Sequence, residues 1–519
     1  MEAPSIATPA GRTSARGSLM VIGAAALVKL LFHLIAVNQY GYFRDELYYL
    51  ASTQHLAAGY VEHPPFSIFL LAAQTSVFGD SLLAIRILPI LAGAALVVFV
   101  GLMVREMNGG LFAQGLAAFT AAITPVYFAT QHFFSMNALD QLFWVLSAYL
   151  LVRLVTTEDR RYWLLLGFTL GLGLLNKISV LWMGSGLALG LLFTGNRRWL
   201  ATRWPWIAGA IALLVFLPHI IWQIHNDFPT LEFIRNATER KNVRSGALDF
   251  LKDQLLPINP AALPVYVAGL IGVFAQRGLR RWSIFGIIFL TTAAILIGSG
   301  TSKAYYLSAA YPLLLAPGAI ALERILTGTL WRRVGIAYGG IVLGAGLLAL
   351  PIAVPVLPPE TFISYLSSLG ISVPSGERSR LGPLPQHFAD MFGWEELARS
   401  VSTACERLTP EERRKCRVFA QNYGEAGAVD ILGKKYGLPP AISGHNSYWL
   451  WGPRGWTGEV LIMVRGDSAE YAKEFESVTK VGESDNPYAM PYERHMSIFI
   501  GRNFKGSTTE AWQKEKDYI

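Results

Sequence analysis

The stretch Ser81-Leu82-Leu83-Ala84-Ile85-Arg86-Ile87-Leu88-Pro89-Ile90-Leu91-Ala92-Gly93-Ala94-Ala95-Leu96-Val97-Val98-Phe99-Val100-Gly101-Leu102-Met103 holds a single charge, Arg86. Crossing the hydrocarbon core takes about 20 mostly apolar residues, whereas a surface helix of a soluble domain keeps one polar face. This stretch has no such face and reads as a membrane span. The pattern recurs at 18–37, 110–130, 138–155, 162–176, 178–194, 205–224, 259–275, 283–300, 304–322 and 334–356. The sequence thus predicts a mainly α, polytopic membrane helix bundle of about 11 spans, read from those segments. The segments 162–176 and 178–194 are short and meet at Asn176-Lys177. The apolar segment 65–78, opening at Pro64-Pro65, is short for a span and reads as an interfacial or re-entrant helix.

Composition agrees. Of 519 residues 52% are hydrophobic and 15% charged, with a mean hydropathy of +0.37; soluble domains carry roughly 25% charged residues. The formal charge of +8 is spread in short clusters between apolar stretches, and no basic face for nucleic acid stands out. Arg12 and Arg16, Arg105, Arg153 with Arg160-Arg161, Arg197-Arg198 with Arg203, Arg277 with Arg280-Arg281, and Arg324 with Arg332-Arg333 fall on one side of the predicted spans. That side is cytoplasmic by the positive-inside rule. Residues 1–17 are then a cytoplasmic tail and 18–356 the membrane domain, its first span expected to be a retained anchor.

The loops 38–64, 131–137, 225–258 and 300–304, and everything after about 357, face outward. Loop 225–258 is itself basic, with Arg235, Arg240, Lys241 and Arg244. Long loops translocate regardless of charge; an outer basic loop also suits an anionic lipid headgroup. After the Pro-rich linker Pro351–Pro359, residues 357–519 read as a small α/β domain. Strands are expected at Arg417–Ala420, Val460–Val464 and Ser497–Ile500, and helices at 394–405, 425–436 and 468–477. The two cysteines, Cys405 and Cys416, leave a disulfide and two free thiols equally open. No Cys/His cluster has metal-ligand spacing.

The chemistry-bearing residues lie on the outer side. The first outer loop carries Tyr42-Phe43-Arg44-Asp45-Glu46-Leu47-Tyr48-Tyr49 and then Val61-Glu62-His63-Pro64-Pro65. Membrane anchoring does not require two adjacent acids, and the aromatic residues around them argue for partial burial, which raises a carboxyl toward proton-accepting range. Solvated, incidental charge is the competing reading. Asp140 sits where an outer loop enters a span; it fits a polar cavity or a helix cap. Lys303, before Ala304-Tyr305-Tyr306-Leu307, stands at an outer helix mouth, where an ammonium pairs with phosphate or simply snorkels.

Together these elements resemble the GT-C glycosyltransferases of the dolichyl-phosphate-mannose-protein mannosyltransferase superfamily, among them the lipid A aminoarabinose transferases and the lipopolysaccharide-core galacturonosyltransferases. Phe43–Tyr49 looks like the family's Asp-Glu motif, Glu62-His63-Pro64-Pro65 like its acid–Lys–Pro–Pro element, and Asp140 with Leu142-Phe143-Trp144 like its second outer acid. Gly171–Lys177 and Lys303–Leu307 fit its later helices, so the likeness covers about 20–325. The chain departs from the pattern at His63, where aminoarabinose transferases carry a lysine held to bind the donor phosphate.

The resemblance implies a GT-C fold in the bacterial inner membrane, with the C-terminal domain periplasmic or extracellular. It implies inverting transfer of a sugar from a polyprenyl-phosphate donor to a lipid, glycan or protein acceptor. Asp45 is expected as the base, with Glu46 and Asp140 completing the catalytic set. Arg44, Glu62, His63, Arg86, Lys303, Tyr305 and Tyr306 are expected to bind substrate. No metal ligand is assigned, and a divalent cation between carboxylates is left undecided. The competing classes are a transporter or flippase for an envelope glycolipid, which predicts mid-membrane ionisable groups and related halves, and a receptor whose tail binds a partner.

Overall fold

A computed structural model describes residues 14–371 and 377–519; Arg12 and most of the N-terminal tail lie outside the described residues. Among the described residues six helices are long and apolar enough to cross a membrane: Ala15–Ala36, Leu82–Glu106, Met136–Thr157, Trp204–His225, Arg280–Ser299 (opened by a short 3-10 turn) and Thr329–Ala353. Two bent pairs, Leu111–Ile123 with Pro125–His132 and Ala304–Ala310 with Pro312–Ile325, raise the number to eight if each is one span. The expectation of about eleven is thereby corrected. Three of the expected spans are helices of 16, 14 and 13 residues, Arg161–Asn176, Val180–Phe193 and Leu263–Ala275. At 1.5 Å per residue they reach about 20–24 Å, short of a hydrocarbon core of about 30 Å.

The bends have local causes. Pro125 and Pro312 open the second helix of each pair, and proline cannot donate the backbone bond that would continue the first. Helix starts are marked by caps: Ser81 Oγ accepts from the Ala84 amide at 3.3 Å and Ser135 Oγ from the Asn137 amide at 3.3 Å. Leu213 and Leu214 on Trp204–His225, and Leu19 and Ile35 on the first helix, are exposed and face the lipid. Phe66–Phe78 is a separate short apolar helix.

The C-terminal domain holds one five-stranded mixed sheet in the order β2-β1-β3-β5-β4, with β1 Arg417–Phe419, β2 Ala441–Ile442, β3 Val460–Val464, β4 Phe475–Ser484 and β5 Met496–Phe504. β1 runs parallel to both β2 and β3, while β3–β5 and β4–β5 are antiparallel. The expected helix 468–477 ends at Glu474 because Phe475 already belongs to β4. The expected helix 425–436 is Tyr423–Leu432 continued by a 3-10 turn. Cys405 and Cys416 are buried free thiols.

Of five hydrophobic clusters among the described residues, two are the largest. One fills the helix bundle. The other joins the outer-loop helix Arg44–Ser52 to the C-terminal domain, packing Leu47, Tyr48 and Leu50 with Ala426, Val429 and Ile462. The helices Arg44–Ser52 and Tyr423–Leu432 meet at glycine: a Cβ on Gly427 would stand 2.9 Å from the Leu47 carbonyl carbon, and one on Gly424 would stand 2.3 Å from Arg44 Cγ. Only residues without a side chain allow this approach.

Candidate active site

The helix Arg44–Ser52 begins as the chain leaves the first span. Glu46, at its third position, accepts from the Phe43 amide at 2.9 Å, the glutamate half of a capping box. Asp45 and Glu46 both sit in the first turn, where the helix dipole favours negative charge. Their surroundings separate them. Glu46 is fully buried, gripped through both oxygens by Arg86 Nε at 3.0 Å and Nη2 at 2.8 Å, and it accepts from the Phe134 amide at 2.8 Å. Arg86 also donates from Nη1 to the Val37 carbonyl and from Nη2 to the Gly41 carbonyl, each at 2.8 Å. Both side chains are fully buried.

Asp45 is different: its side chain is 35% exposed. It accepts from the Tyr423 hydroxyl at 2.9 Å, and Arg44 Nε stands 4.0 Å away. Arg44 is itself anchored by the C-terminal domain, with Nη1 donating to the Tyr492 hydroxyl at 2.6 Å, Nη2 3.6 Å from Asp390 and the guanidinium over the Tyr423 ring. Burial pushes Asp390 up to about 6, with Arg44 opposing it.

Beside Arg44 opens a cavity of about 210 Å³, walled by Lys241, Glu377, Asn422, Tyr423, His445, Arg465 and Tyr492. Drug-sized pockets run to roughly 300–1,000 Å³, so this one suits a single compact polar group. Lys303 Nζ reaches Glu377 Oε1 at 2.6 Å, and Lys241 Nζ lies 4.0 Å from the same oxygen. Burial would raise Glu377, yet Lys303, Lys241 and Arg44 together hold it down at about 2.

Glu62 accepts from the Tyr48 hydroxyl at 3.0 Å. Burial, with the Asp45 charge adding to it, lifts its carboxyl to about 8, so Glu62 is largely protonated at neutral pH. His63 lies flat on Tyr49, ring centroids 4.8 Å apart, beside Tyr60, and its Nδ1 contacts the Pro64 carbonyl at 2.9 Å. Burial takes His63 down to about 4. The imidazole is therefore neutral, able to donate one N–H to a phosphate but not to attract it by charge.

Asp140 forms a second cluster. It accepts from Ser179 Oγ at 2.6 Å and faces Lys177 at 3.6 Å, while Lys177 donates to Asn137 at 2.7 Å and lies over the Tyr306 ring. Tyr305 packs edge-on against Tyr306. Of the residues expected from sequence, Arg44 lines the cavity, while Asp45 and Lys303 adjoin it through the lining residues Tyr423 and Glu377. The structure buries Glu46 with Arg86, encloses His63 in aromatic rings, and sets Asp140 with Lys177. Among the described residues no three His, Cys, Asp or Glu side chains are grouped to hold a metal ion.

Lys241 belongs to the basic outer loop that the sequence marks as suited to an anionic headgroup; Glu377, Tyr423, Arg465 and Tyr492 were not singled out as site residues. The others lie in the C-terminal domain, where nothing local links them to a loop hundreds of residues earlier.

Residues 62–222 match the family model described as dolichyl-phosphate-mannose-protein mannosyltransferase. The lipid A galacturonosyltransferase RgtD of Rhizobium johnstonii is 29% identical over 256 residues, covering 47% of this chain and 51% of RgtD. The lipopolysaccharide core galacturonosyltransferase RgtA of the same organism is 30% identical over 176 residues, 33% of this chain and 34% of RgtA. The chain thus spans about half the length, or less, of the curated relatives it matches. In three dimensions it is similar to ArnT from Cupriavidus metallidurans bound to undecaprenyl phosphate, with a TM-score of 0.61 at 15% identity over 94% of this chain and 98% of that one. The mycobacterial arabinofuranosyltransferase AftD, in its R1389S mutant, gives a TM-score of 0.51 at 14% identity, over 94% of this chain and 42% of AftD.

Proposed function

We propose that this chain, a relative of the bacterial GT-C-fold sugar transferases, moves a sugar from a polyprenyl-phosphate carrier to an acceptor hydroxyl on the periplasmic side of the inner membrane. The observation that carries the reading is the setting of Asp45: a partly exposed carboxylate, held by Tyr423, next to a cavity lined by Arg44 and Lys241, with Lys303 paired to the lining residue Glu377.

Each group then has a task. Asp45 takes the proton of the acceptor hydroxyl as its oxygen attacks the anomeric carbon. The bond from that carbon to the phosphate oxygen breaks, and the phosphate leaves with the electron pair. Charge grows on the phosphate as the bond opens, so cations fixed beside it stabilise the transition state more than the ground state. Lys303, Lys241 and Arg44 supply that charge; neutral His63 does not. Attack opposite the leaving group inverts the anomeric centre. Glu46, Arg86 and Asp140 are positioning residues that hold the Asp45 helix and the Tyr305-Tyr306 turn. The galacturonosyltransferase relatives favour a lipopolysaccharide or lipid A acceptor.

The test is Asp45→Asn in full-length protein reconstituted with radiolabelled polyprenyl-phosphate sugar and envelope glycolipids. General-base loss costs about 10²–10⁴ in rate. Undiminished transfer at normal expression removes Asp45 from the base position.

A further inference from the structure

Three cations from three segments face one carboxylate. Lys303 ends the loop after Arg280–Ser299, Lys241 closes a turn in the long outer loop, and Arg44 opens the first outer helix. Glu377 reaches them from the start of the C-terminal domain, 2.6 Å from Lys303 and 4.0 Å from Lys241, and its other oxygen accepts from Gln386 at 3.2 Å. The backbone fixes the encounter: Asn242 and Glu377 form an antiparallel bridge, and the Arg378 amide donates to the Lys241 carbonyl at 3.1 Å. The two lysine side chains are each 22% exposed and Glu377 only 10%. Converging ammonium groups this far from bulk water need an anion between them.

A glutamate is a modest occupant for such a site. It brings one charge and two oxygens, whereas a polyprenyl phosphate freed of its sugar is a monoester with up to two charges and three free oxygens. Its advantage is attachment, which gives it a high effective concentration. Held at about 2, Glu377 stays ionised throughout the physiological range, so acid does not free the lysines; a competing anion must.

We propose that Lys241 and Lys303 form a clasp for the phosphate of a polyprenyl lipid, a diester in the donor and a monoester once the sugar has left, and that Glu377 is its tethered internal occupant, displaced when the phosphate enters. The inference rests on the transferase reading and adds to it a device that sets affinity. The free site is the competent one, so phosphate binding weakens in proportion to the time Glu377 occupies it, about tenfold for an occupancy of roughly 0.9. The clasp chemistry fits the phosphate of a polyprenyl carrier or that of another phosphomonoester lipid.

The experiment compares full-length wild type, Glu377→Gln and the double variant Glu377→Gln/Lys241→Gln in nanodiscs, titrating undecaprenyl phosphate and, separately, phosphatidic acid. Glu377→Gln is expected to bind on the order of tenfold tighter, and the double variant to lose that gain. Tightening for undecaprenyl phosphate alone assigns the clasp to the polyprenyl carrier; tightening for both assigns it to phosphomonoester lipids generally. Unchanged or weaker binding by Glu377→Gln overturns the proposal, because a purely structural ion pair gives that result. Should Glu377→Gln fail to fold, Glu377→Asp carries the test: it draws the carboxylate back by one methylene and must also bind more tightly. Wild type that binds no undecaprenyl phosphate counts against the transferase reading itself; wild type that binds it with no Glu377 effect counts against the clasp alone.

Discussion

The Tyr423 hydroxyl donates to Asp45 Oδ1 at 2.9 Å across 378 positions of sequence, tying the outer face of the membrane bundle to the C-terminal domain. Tyr423→Phe keeps the ring on Tyr48 and over Arg44 and removes only that bond. One hydrogen bond to a charged group is worth about 1.5–3 kcal/mol, so transfer should slow by roughly 10- to 150-fold, with the melting temperature nearly unchanged. Steady-state rates beside a thermal melt decide it; an unaltered rate rejects Tyr423 as the group that orients Asp45.

Gly427→Val places branched carbon where the Leu47 backbone lies 2.9 Å from a Cβ. The helices Arg44–Ser52 and Tyr423–Leu432 must separate. Transfer should be lost while membrane insertion and yield stay close to wild type. Protease sensitivity of the C-terminal domain in inverted and right-side-out vesicles reads the separation directly.

Arg86→Met leaves Glu46 buried without its counter-charge. Breaking a buried pair from one side costs about 3–5 kcal/mol, so folded yield and melting temperature should drop sharply. If Arg86 instead binds substrate, the variant folds normally and its KM rises; measuring both quantities separates the two roles.

Glu62 carries a pH signature. Its folded-state carboxyl stands near about 8 against the ordinary 4.5, so its contribution to stability is whole below about 4.5 and is lost as pH climbs through about 8. Glu62→Gln should therefore match wild type at pH 5 and melt higher than wild type at pH 9. Equal melting curves at both pH values place the carboxyl in its ordinary range.

Much of this was legible in the sequence because it depends on local pattern. Apolar length marks where the helices lie, though it misjudged the bundle: a run such as 178–194 looks like a span, yet the helix it forms covers only Val180–Phe193. The Asp45-Glu46 pair was conspicuous as two acids behind a span. Which of the two stays partly exposed was not, since that is decided by Arg86, a residue 40 positions away that neutralises Glu46 alone. Glu377 and Tyr423 had no local signature, because each gains its significance only when the C-terminal domain folds back onto the first outer loop.

That fold-back divides labour along the chain. The loops of the helix bundle supply Arg44 and Lys241, while most of the remaining wall, from Asn422 to Tyr492, belongs to the sheet domain. On the transferase reading proposed above, selection can therefore reshape that wall, and with it the choice of recipient, while the groups assigned to cleaving the carrier bond stay intact. Exchange of the sheet domain between paralogues is the natural route by which such a transferase changes its target.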